Sequence, residues 1–236
     1  MPTVLVAGAN RGLGLEFVRQ YAADGWEVIA GCRDRGGADE LSRIKDASDG
    51  RVVVERLDVL NFSTTASVAK DYKGRAIDVL INNAGEMGPK REDIGRQSFG
   101  SMDYGEWARI FRTNVFGPMK VSETFVDNVA ASDQKKIVHI SSTIGSNVEG
   151  TRAQVFCYGP SKAALNKVST LMAEALRDRG ITVAALCPGH VKPRLGGLDA
   201  KIEPADSIGG MRKVIAGLTL EATGAYIRYT GETVAF

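Results

Sequence analysis

The sequence predicts an α/β fold, with one doubly wound, mostly parallel sheet and helices on both of its faces. Short apolar runs alternate with longer amphipathic segments along the chain, and this alternation places successive strands parallel. A glycine-rich turn follows the first apolar run, as is typical of the entrance to such a sheet. The 236 residues, 44% of them hydrophobic, can fill one large core, so we expect residues 1–236 to form a single domain.

The first half of the chain alternates strands and helices. The apolar run at 3–7 predicts a buried strand, and the amphipathic segment at 15–24 predicts a helix that Gly25 ends. The polar, glycine-rich stretch at 86–101 predicts an irregular surface loop. By the same patterns, further strands are predicted at 27–32, 51–57 and 77–81, and further helices at 39–47 and 63–72.

The second half continues the alternation. Asp103 is expected to cap a long helix through Asn114, in which Pro118 predicts a kink or a break. Tyr158 opens a helix that ends near Gly180, and Pro160 fits there only in the first turn. The remaining predictions are strands at 136–140, 181–187 and 226–229, a loop at 143–156 and a helix within 204–220.

Composition excludes several classes of function. A net charge of +2 does not favour a nucleic-acid partner or an anionic membrane surface, and no run approaches the ~18 apolar residues of a membrane span. The odd number of cysteines, without Cys-x-x-Cys spacing, favours buried thiols in a reducing compartment. Two histidines are too few for a histidine-based site, so we predict no metal. Because the chain passes directly into a strand, we expect a cytoplasmic protein without a signal peptide.

The glycine-rich turn predicts a Rossmann-type dinucleotide site. Glycines let the backbone approach a pyrophosphate, and the N-terminus of the following helix offers N–H groups and a positive dipole to it. The spacing is G-x-x-x-G-x-G rather than the commoner G-x-G-x-x-G. The segment that carries this signal is Gly8, Ala9, Asn10, Arg11, Gly12, Leu13 and Gly14.

Two arginines favour NADP(H) over NAD(H). A free ribose 2′-hydroxyl usually meets an acidic residue at the end of the second strand, but here Cys32 is followed by Arg33. Arg33 can pair with a 2′-phosphate through its planar fork, and Arg11 can reach the same group. The alternative is that both are solvated loop arginines, and Asp34 beside Arg33 is the residue type that a free 2′-hydroxyl prefers.

Residues that could contact a ligand recur at the ends of the predicted strands. The carboxyl ends of parallel strands meet at one edge of the sheet, where ligands of such folds bind. Asp58 at one of these ends could accept a hydrogen bond from an adenine amino group, or it could cap the helix that begins near Ser63. The residues at these ends are Gly8, Arg33, Asp58, Asn83, Ser142 and Gly189.

Tyr158 and Lys162 predict an acid–base pair. Their spacing of four residues places them on one face of a helix, about one turn apart. An ammonium beside a phenol favours the phenolate, so we expect Lys162 to lower the pKa of Tyr158 toward neutral. Taken alone, the spacing equally fits a surface lysine beside a half-buried tyrosine. Asn114 lies within a predicted helix, where a buried asparagine needs partners or serves a site.

Taken together, these motifs resemble the short-chain dehydrogenase/reductase family over essentially the whole chain. Within the family, the sequence is similar to the C-factor and sniffer-like carbonyl reductase branch, as the stretches at 8–12, 83–89 and 218–220 suggest. The motifs that occur in the family's order and spacing are Gly8-x-x-x-Gly12-x-Gly14, Asn82-Asn83-Ala84-Gly85, Asn114, Ser142, Tyr158-x-x-x-Lys162 and Pro188-Gly189.

The resemblance implies an NADP(H)-dependent reductase of aldehydes or ketones that works reversibly and forms a homodimer or homotetramer. Tyr158 would protonate the carbonyl oxygen as hydride arrives, Lys162 would lower its pKa and bind the nicotinamide ribose, and Ser142 would polarise the carbonyl. Asn114 would hold the water of a proton relay. The implied cofactor contacts are Gly8, Asn10, Arg11, Gly12, Leu13, Gly14, Arg33, Asp58, Val59, Asn83, Ala84, Gly85, Tyr158, Lys162, Pro188, Gly189 and Val191.

The sequence departs from the family pattern at three places. Ala7 stands in place of a threonine whose hydroxyl braces the glycine turn, so we expect weaker cofactor binding. His139 replaces an asparagine in the strand before the serines. Pro193 and Arg194 stand where relatives carry Thr-Asp, which would alter the lid over the substrate.

Two other classes of function are weighed against a reductase. A non-catalytic dinucleotide-binding protein with a signalling or interaction role would have the same fold, since this architecture serves many functions. An intact set of Ser142, Tyr158 and Lys162 argues against it. Hydrolysis by a serine is disfavoured, because no Gly-x-Ser-x-Gly elbow surrounds Ser142.

Overall fold

Seven parallel strands form the centre of the molecule. The structure is a computed structural model that describes residues 1–35, 39–88, 97–150, 155–192 and 200–236. The strands in these ranges are β1 (Thr3–Ala7), β2 (Glu27–Cys32), β3 (Val52–Arg56), β4 (Val79–Asn82), β5 (Lys136–Ile140), β6 (Thr182–Cys187) and β7 (Tyr226–Arg228). Their order is β3-β2-β1-β4-β5-β6-β7, and each neighbouring pair is parallel. The predicted fold class is confirmed.

Helices connect the strands. The α-helices in the described ranges are α1 (Gly12–Ala23), α2 (Asp39–Asp46), α3 (Phe62–Asp71), α4 (Tyr104–Phe111), α5 (Gly117–Ala130), α6 (Tyr158–Ala175) and α7 (Pro204–Gly217). Short 3-10 turns lie at Thr143–Gly145, Arg177–Arg179 and Leu220–Ala222. The strand order reverses between β1 and β4, so their carboxyl ends border the crevice in which ligands of such sheets bind.

The sheet separates two layers of hydrophobic core. Side chains of β1 alternate between them, as the pleat requires: Val4 packs in one layer with Phe17 of α1, and Leu5 packs in the other with Phe125 of α5. Both faces of β1 are therefore buried, which explains its continuous apolar run. The three cysteines are free and buried. No helix within the described ranges is both long and apolar enough to cross a membrane.

Some predicted boundaries need correction. α1 begins at Gly12 rather than at 15, because the glycine turn itself supplies its first turn. β4 begins at Val79 rather than at 77. The helix predicted within 204–220 is confirmed and spans Pro204–Gly217. Asn61 accepts hydrogen bonds from the backbone of Ser63 and Thr64, so Asn61 caps α3 and the capping alternative for Asp58 is wrong.

The predicted kink near Pro118 is a change of helix type. A π-helical segment, Arg112–Phe116, joins α4 to α5, and Pro118 lies in the first turn of α5, where its missing N–H costs no helical bond. Asp103 caps α4 by accepting from the backbone N–H of Glu106 at 3.0 Å. Asn114 lies in the π segment and is fully buried. Such segments frequently mark functional sites.

Candidate active site

The glycine turn packs tightly on the end of β4. Gly8 has φ +88°, and a Cβ placed there would lie 2.8 Å from the backbone of Ala84. A Cβ at Gly14 would overlap the carbonyl oxygen of Gly8 and lie 2.6 Å from Nδ2 of Asn83. That amide nitrogen donates to the Gly8 carbonyl at 2.8 Å. Close packing therefore requires glycine at both positions and joins the turn to β4.

Ala7 does not leave the turn without a brace. Its carbonyl oxygen accepts from the backbone N–H groups of Asn83, at 3.1 Å, and Ala84, at 2.8 Å. The N–H groups of Gly8 and Ala9 both donate to Gly31 at 2.9 Å. These bonds and the Asn83 side chain hold the turn from both neighbouring strands, whichever side chain stands at position 7.

The first turn of α1 offers an anion site. Gly12 has φ +55°, and a Cβ there would meet no described atom within 4 Å. Arg11 at the N-cap has no side-chain acceptor, so it leaves the first N–H groups of α1 without a capping bond from its side chain. Open space, free donors and the helix dipole together fit a pyrophosphate group.

A cavity rich in arginine lies at the ends of β2 and β3. It has a volume of about 400 Å³ and is lined by Arg33, Asp34, Arg35 and Arg56. Arg35 also pairs with Glu55 at 2.7 Å, which neutralises part of its charge. The remaining positive charge fits a phosphate better than an uncharged ribose edge. The sequence prediction identified Arg33 but not Arg56, because the second arginine comes from a neighbouring strand.

Other predicted cofactor residues border the same crevice. Asp58 follows β3 and accepts from the backbone N–H of Leu60 at 3.0 Å. Pro188 and Gly189 follow β6, and Gly189 has φ +78°. Val191 pairs with Ile202 in an isolated bridge. Pro193 and Arg194, for which we expected an altered lid, lie outside the residues that the structure describes.

Ser142 and Tyr158 meet beyond the end of β5. Ser142 caps the 3-10 turn at Thr143–Gly145 by accepting from Ile144 at 3.3 Å. Its hydroxyl also lies near the Tyr158 side chain, in the first turn of α6, and lowers the pKa of that phenol. The two hydroxyl groups border the same space, where together they could stabilise a negative oxygen.

Lys162 lies one turn after Tyr158 and is almost completely buried. Its Nζ atom donates to the carbonyl oxygen of Ile140 at 2.7 Å and lies 5.6 Å from the centre of the Tyr158 ring. Because an ammonium is poorly solvated there, burial lowers the pKa of Lys162 to about 8.

Lys162 does not lower the pKa of Tyr158 as expected. Burial raises the pKa of Tyr158 to about 12, and the nearby Ser142 hydroxyl opposes this increase only in part. Lys162 does not contribute a resolved decrease, since its Nζ is directed to the Ile140 carbonyl rather than to the phenol oxygen. Tyr158 is therefore a protonated acid at neutral pH, not a phenol tuned toward neutrality.

Asn114 organises the loop beside Lys162. Its Nδ2 donates to the carbonyl of Glu86 at 2.8 Å and to the hydroxyl of Ser161 at 2.9 Å, while its Oδ1 accepts from the Glu86 N–H at 2.8 Å. A Cβ at Gly85 would lie 3.3 Å from Asn114 Oδ1 and 3.5 Å from Lys162 Nζ. Protein groups thus occupy both ends of the Asn114 amide.

His139 belongs to a buried polar network under the site. Its Nδ1 lies 2.6 Å from the hydroxyl of Ser169, and its Nε2 lies 3.4 Å from that of Ser122, which also accepts from Asn82 at 2.9 Å. Burial, together with the charge of Lys162, lowers the pKa of His139 to about 3. A neutral imidazole therefore replaces the family's asparagine as a link between α5 and α6.

Gln97 is a residue near the site that sequence reasoning missed. It is fully buried, its Nε2 donates to the Met87 carbonyl at 3.4 Å, and its Oε1 accepts from the Cys157 N–H at 3.3 Å. It therefore joins the loop after β4 to the entrance of α6. Its signal in the sequence is only a polar residue in a polar loop, so nothing local could have identified it.

The comparisons with known proteins agree with this geometry. The profile of the short chain dehydrogenase family matches residues 2–201, and the chain belongs to this family. The C-signal protein of Myxococcus xanthus is 35% identical over 158 residues, which cover 67% of this chain and 92% of that protein.

Two solved structures extend the likeness to the whole chain. The NADPH-bound carbonyl reductase from chicken fatty liver is 31% identical with a TM-score of 0.89, covering 100% of this chain and 99% of the other. The carbonyl reductase Sniffer of Drosophila melanogaster is 25% identical with a TM-score of 0.90, covering 100% of both chains. The resemblance to carbonyl reductases found in the sequence is confirmed, and the protein is an oxidoreductase of this family.

Proposed function

We propose that the protein reduces an aldehyde or ketone to an alcohol with NADPH, and that the reaction is reversible. The observation that carries this proposal is the meeting of Ser142, Tyr158 and Lys162 at the carboxyl edge of the sheet, beside the glycine turn. The likeness to carbonyl reductases over the full chain supports the same chemistry.

Each side chain has a defined task in this proposal. Bound NADPH supplies a hydride to the carbonyl carbon. Tyr158 donates its phenolic proton to the carbonyl oxygen, a role that suits a phenol whose pKa of about 12 keeps it protonated. Ser142 donates a second hydrogen bond to that oxygen. Lys162 binds the nicotinamide ribose.

Asn114 contributes to the proposed proton relay indirectly. Its side chain is engaged with Glu86 and Ser161, so the water of the relay would bind to the backbone of the π segment. A π turn shifts the pattern of backbone hydrogen bonds and can leave a carbonyl oxygen for such a water. Asn114 in this proposal positions the loop beside Lys162.

The test of this mechanism is turnover in the wild type and in Tyr158→Phe. We expect the wild type to oxidise NADPH with simple aldehydes or ketones, and the variant to lose about 100-fold or more in kcat, the contribution of a general acid. NADPH binding should persist in the variant. Unchanged turnover in Tyr158→Phe would remove Tyr158 from the mechanism.

The arginine cavity supports a preference for NADPH. In fluorescence titrations, we expect Arg33→Ala and Arg56→Ala each to weaken NADPH binding by about tenfold while NADH binding changes little, since each variant removes one charge-assisted contact to the 2′-phosphate. Lys45→Ala, on α2, is the control. Equal losses for both cofactors would contradict the assignment of this cavity to the 2′-phosphate.

A non-catalytic signalling role is the second candidate, and the observation that favours it is the likeness to the C-signal protein. On this alternative, the wild type binds NADPH but turns over no carbonyl compound, and Tyr158→Phe changes nothing. The turnover experiment therefore separates the two candidates.

We further propose that the protein works as a homodimer or homotetramer in the cytoplasm. Exposed apolar side chains support an interface on the helices around Asn114 and after Tyr158: Phe116 is 54% exposed and Leu171 is 57% exposed. Neither nucleic acid nor a membrane is proposed as a partner.

A further inference from the structure

We propose that Tyr226, on β7, is a positioning residue that holds Ser142 in the orientation that its catalytic role requires. The proposal rests on the proposed function for its kinetic consequence. Its structural basis is a hydrogen bond from the Tyr226 hydroxyl to the backbone carbonyl of Ser142, 84 residues earlier in the chain.

The sheet alone does not fix the Ser142 peptide. β5 pairs with β6 up to Ile140, opposite Leu186, and the N–H of Ser141 still donates to Leu186 at 2.7 Å. Ser142 follows, outside this ladder. Its carbonyl oxygen accepts from the N–H of Gly145 at 2.8 Å and from Tyr226. Two long-range contacts thus hold this peptide: the Tyr226 hydroxyl donates to its carbonyl oxygen, and the Cys187 sulfur accepts from its N–H, that of Thr143, at 3.2 Å.

Tyr226 is itself rigidly placed. The residue is fully buried, it pairs with Ala185 of β6, and its carbonyl oxygen accepts from Val234 at 2.8 Å. Its ring packs against Phe236, with ring centres 5.6 Å apart. A fully buried phenol anchored on both sides can hold a neighbouring peptide at little further entropic cost.

Two polar side chains lie near the Tyr226 hydroxyl. They are Ser141 and Asn166, and Ser141 donates to Asn166 at 2.5 Å. Asn166 also donates to the Gly145 carbonyl at 3.4 Å, in the turn that Ser142 caps. The phenol therefore connects β7, α6 and the turn after β5 at one point.

Tyr226 affects catalysis through its effect on the Ser142 side chain. The backbone direction at Ser142 determines where its hydroxyl points, and this hydroxyl lies near Tyr158. Loss of the Tyr226 hydroxyl removes one of the two long-range contacts of the peptide, so the Ser142 hydroxyl spends less time beside Tyr158 and the carbonyl oxygen. Tyr226 does not touch the reacting atoms in this account.

Tyr226→Phe tests the proposal, because it removes the hydroxyl and keeps the ring packing. We expect kcat to fall about tenfold, the value of one hydrogen bond in the transition state, while the Kd for NADPH stays within about twofold. Tyr21→Phe is the matched control: it removes the hydroxyl of another buried tyrosine, which contacts Arg212, and should leave kcat unchanged. An unchanged kcat in Tyr226→Phe would overturn the proposal.

A double-mutant cycle with Ser142→Ala distinguishes positioning from general destabilisation. If Tyr226 acts through Ser142, then Tyr226→Phe has no further effect on kcat once the serine hydroxyl is gone. A full additional loss in the Ser142→Ala background would show that Tyr226 acts elsewhere. Thermal unfolding of each variant confirms that the compared proteins are folded.

A crystal structure of Tyr226→Phe tests the positioning role without a turnover measurement. We expect the Ser142 peptide to lose its single orientation and the Ser142 side chain to occupy two rotamers. An unchanged single conformer would overturn the proposal. Absence of turnover in the wild type would instead count against the proposed function, and the structural comparison would still test the positioning role.

Discussion

At the scale of single residues, burial shifts the pKa values of the proposed catalytic pair, Tyr158 and Lys162. Tyr158 and Lys162 both lie where water is excluded, so burial raises the pKa of the phenol to about 12 and lowers that of the ammonium to about 8. Both shifts favour neutral groups. The sequence spacing correctly placed the two side chains on one helix, but it gave the wrong direction for the tyrosine pKa, because desolvation arises from the whole fold.

The lowered pKa of Lys162 makes the stability of the protein depend on pH. The pKa of Lys162 is about 8 in the folded protein and near its ordinary value of 10.5 when unfolded. Between these values the unfolded chain binds more protons, so stability rises with pH. We expect the free energy of unfolding of the wild type to increase relative to Lys162→Met by about 2 kcal/mol between pH 8 and about 9.5.

Urea unfolding at several pH values measures this difference. Lys167→Met is the control, because Lys167 is exposed on the same helix. The difference between wild type and Lys167→Met should stay flat over the same interval. Parallel pH profiles for wild type and Lys162→Met would contradict the burial argument.

At the scale of elements, the glycine turn and the end of β4 behave as one unit. Gly14 packs so closely on Gly8 and Asn83 that a methyl group has no room. We expect Gly14→Ala to raise the Kd for NADPH by about tenfold or more, since the turn must shift away from the pyrophosphate position. Gly217→Ala is the control: a Cβ at that position meets no described atom within 4 Å.

Isothermal titration calorimetry measures the affinity for NADPH, and the melting temperature measures the stability of each variant. Gly217→Ala should bind NADPH like the wild type and be equally or slightly more stable, because alanine favours helix. If Gly14→Ala bound NADPH with unchanged affinity and stability, then the turn would not have the tight packing described here.

At the scale of the whole molecule, the pattern of the sequence was sufficient for the sheet and for the edge at which the site lies. Gly8, Asn83 and Ser142 each end or follow a strand, and parallel strands bring such residues together by topology alone. Arg56, Gln97 and Tyr226 carry no comparable local signal. They contribute through contacts between segments distant in sequence, and only the folded structure places them.

The most direct test of the account follows the hydride itself. Wild-type protein is incubated with NADPH that carries deuterium on the transferring carbon and with a set of simple aldehydes and ketones, and the products are analysed by mass spectrometry. The account predicts an alcohol that carries one deuterium on its carbinol carbon, absent when Tyr158→Phe replaces the wild type. Tight NADPH binding with no labelled alcohol from any carbonyl compound would contradict the reductase function and favour the signalling role.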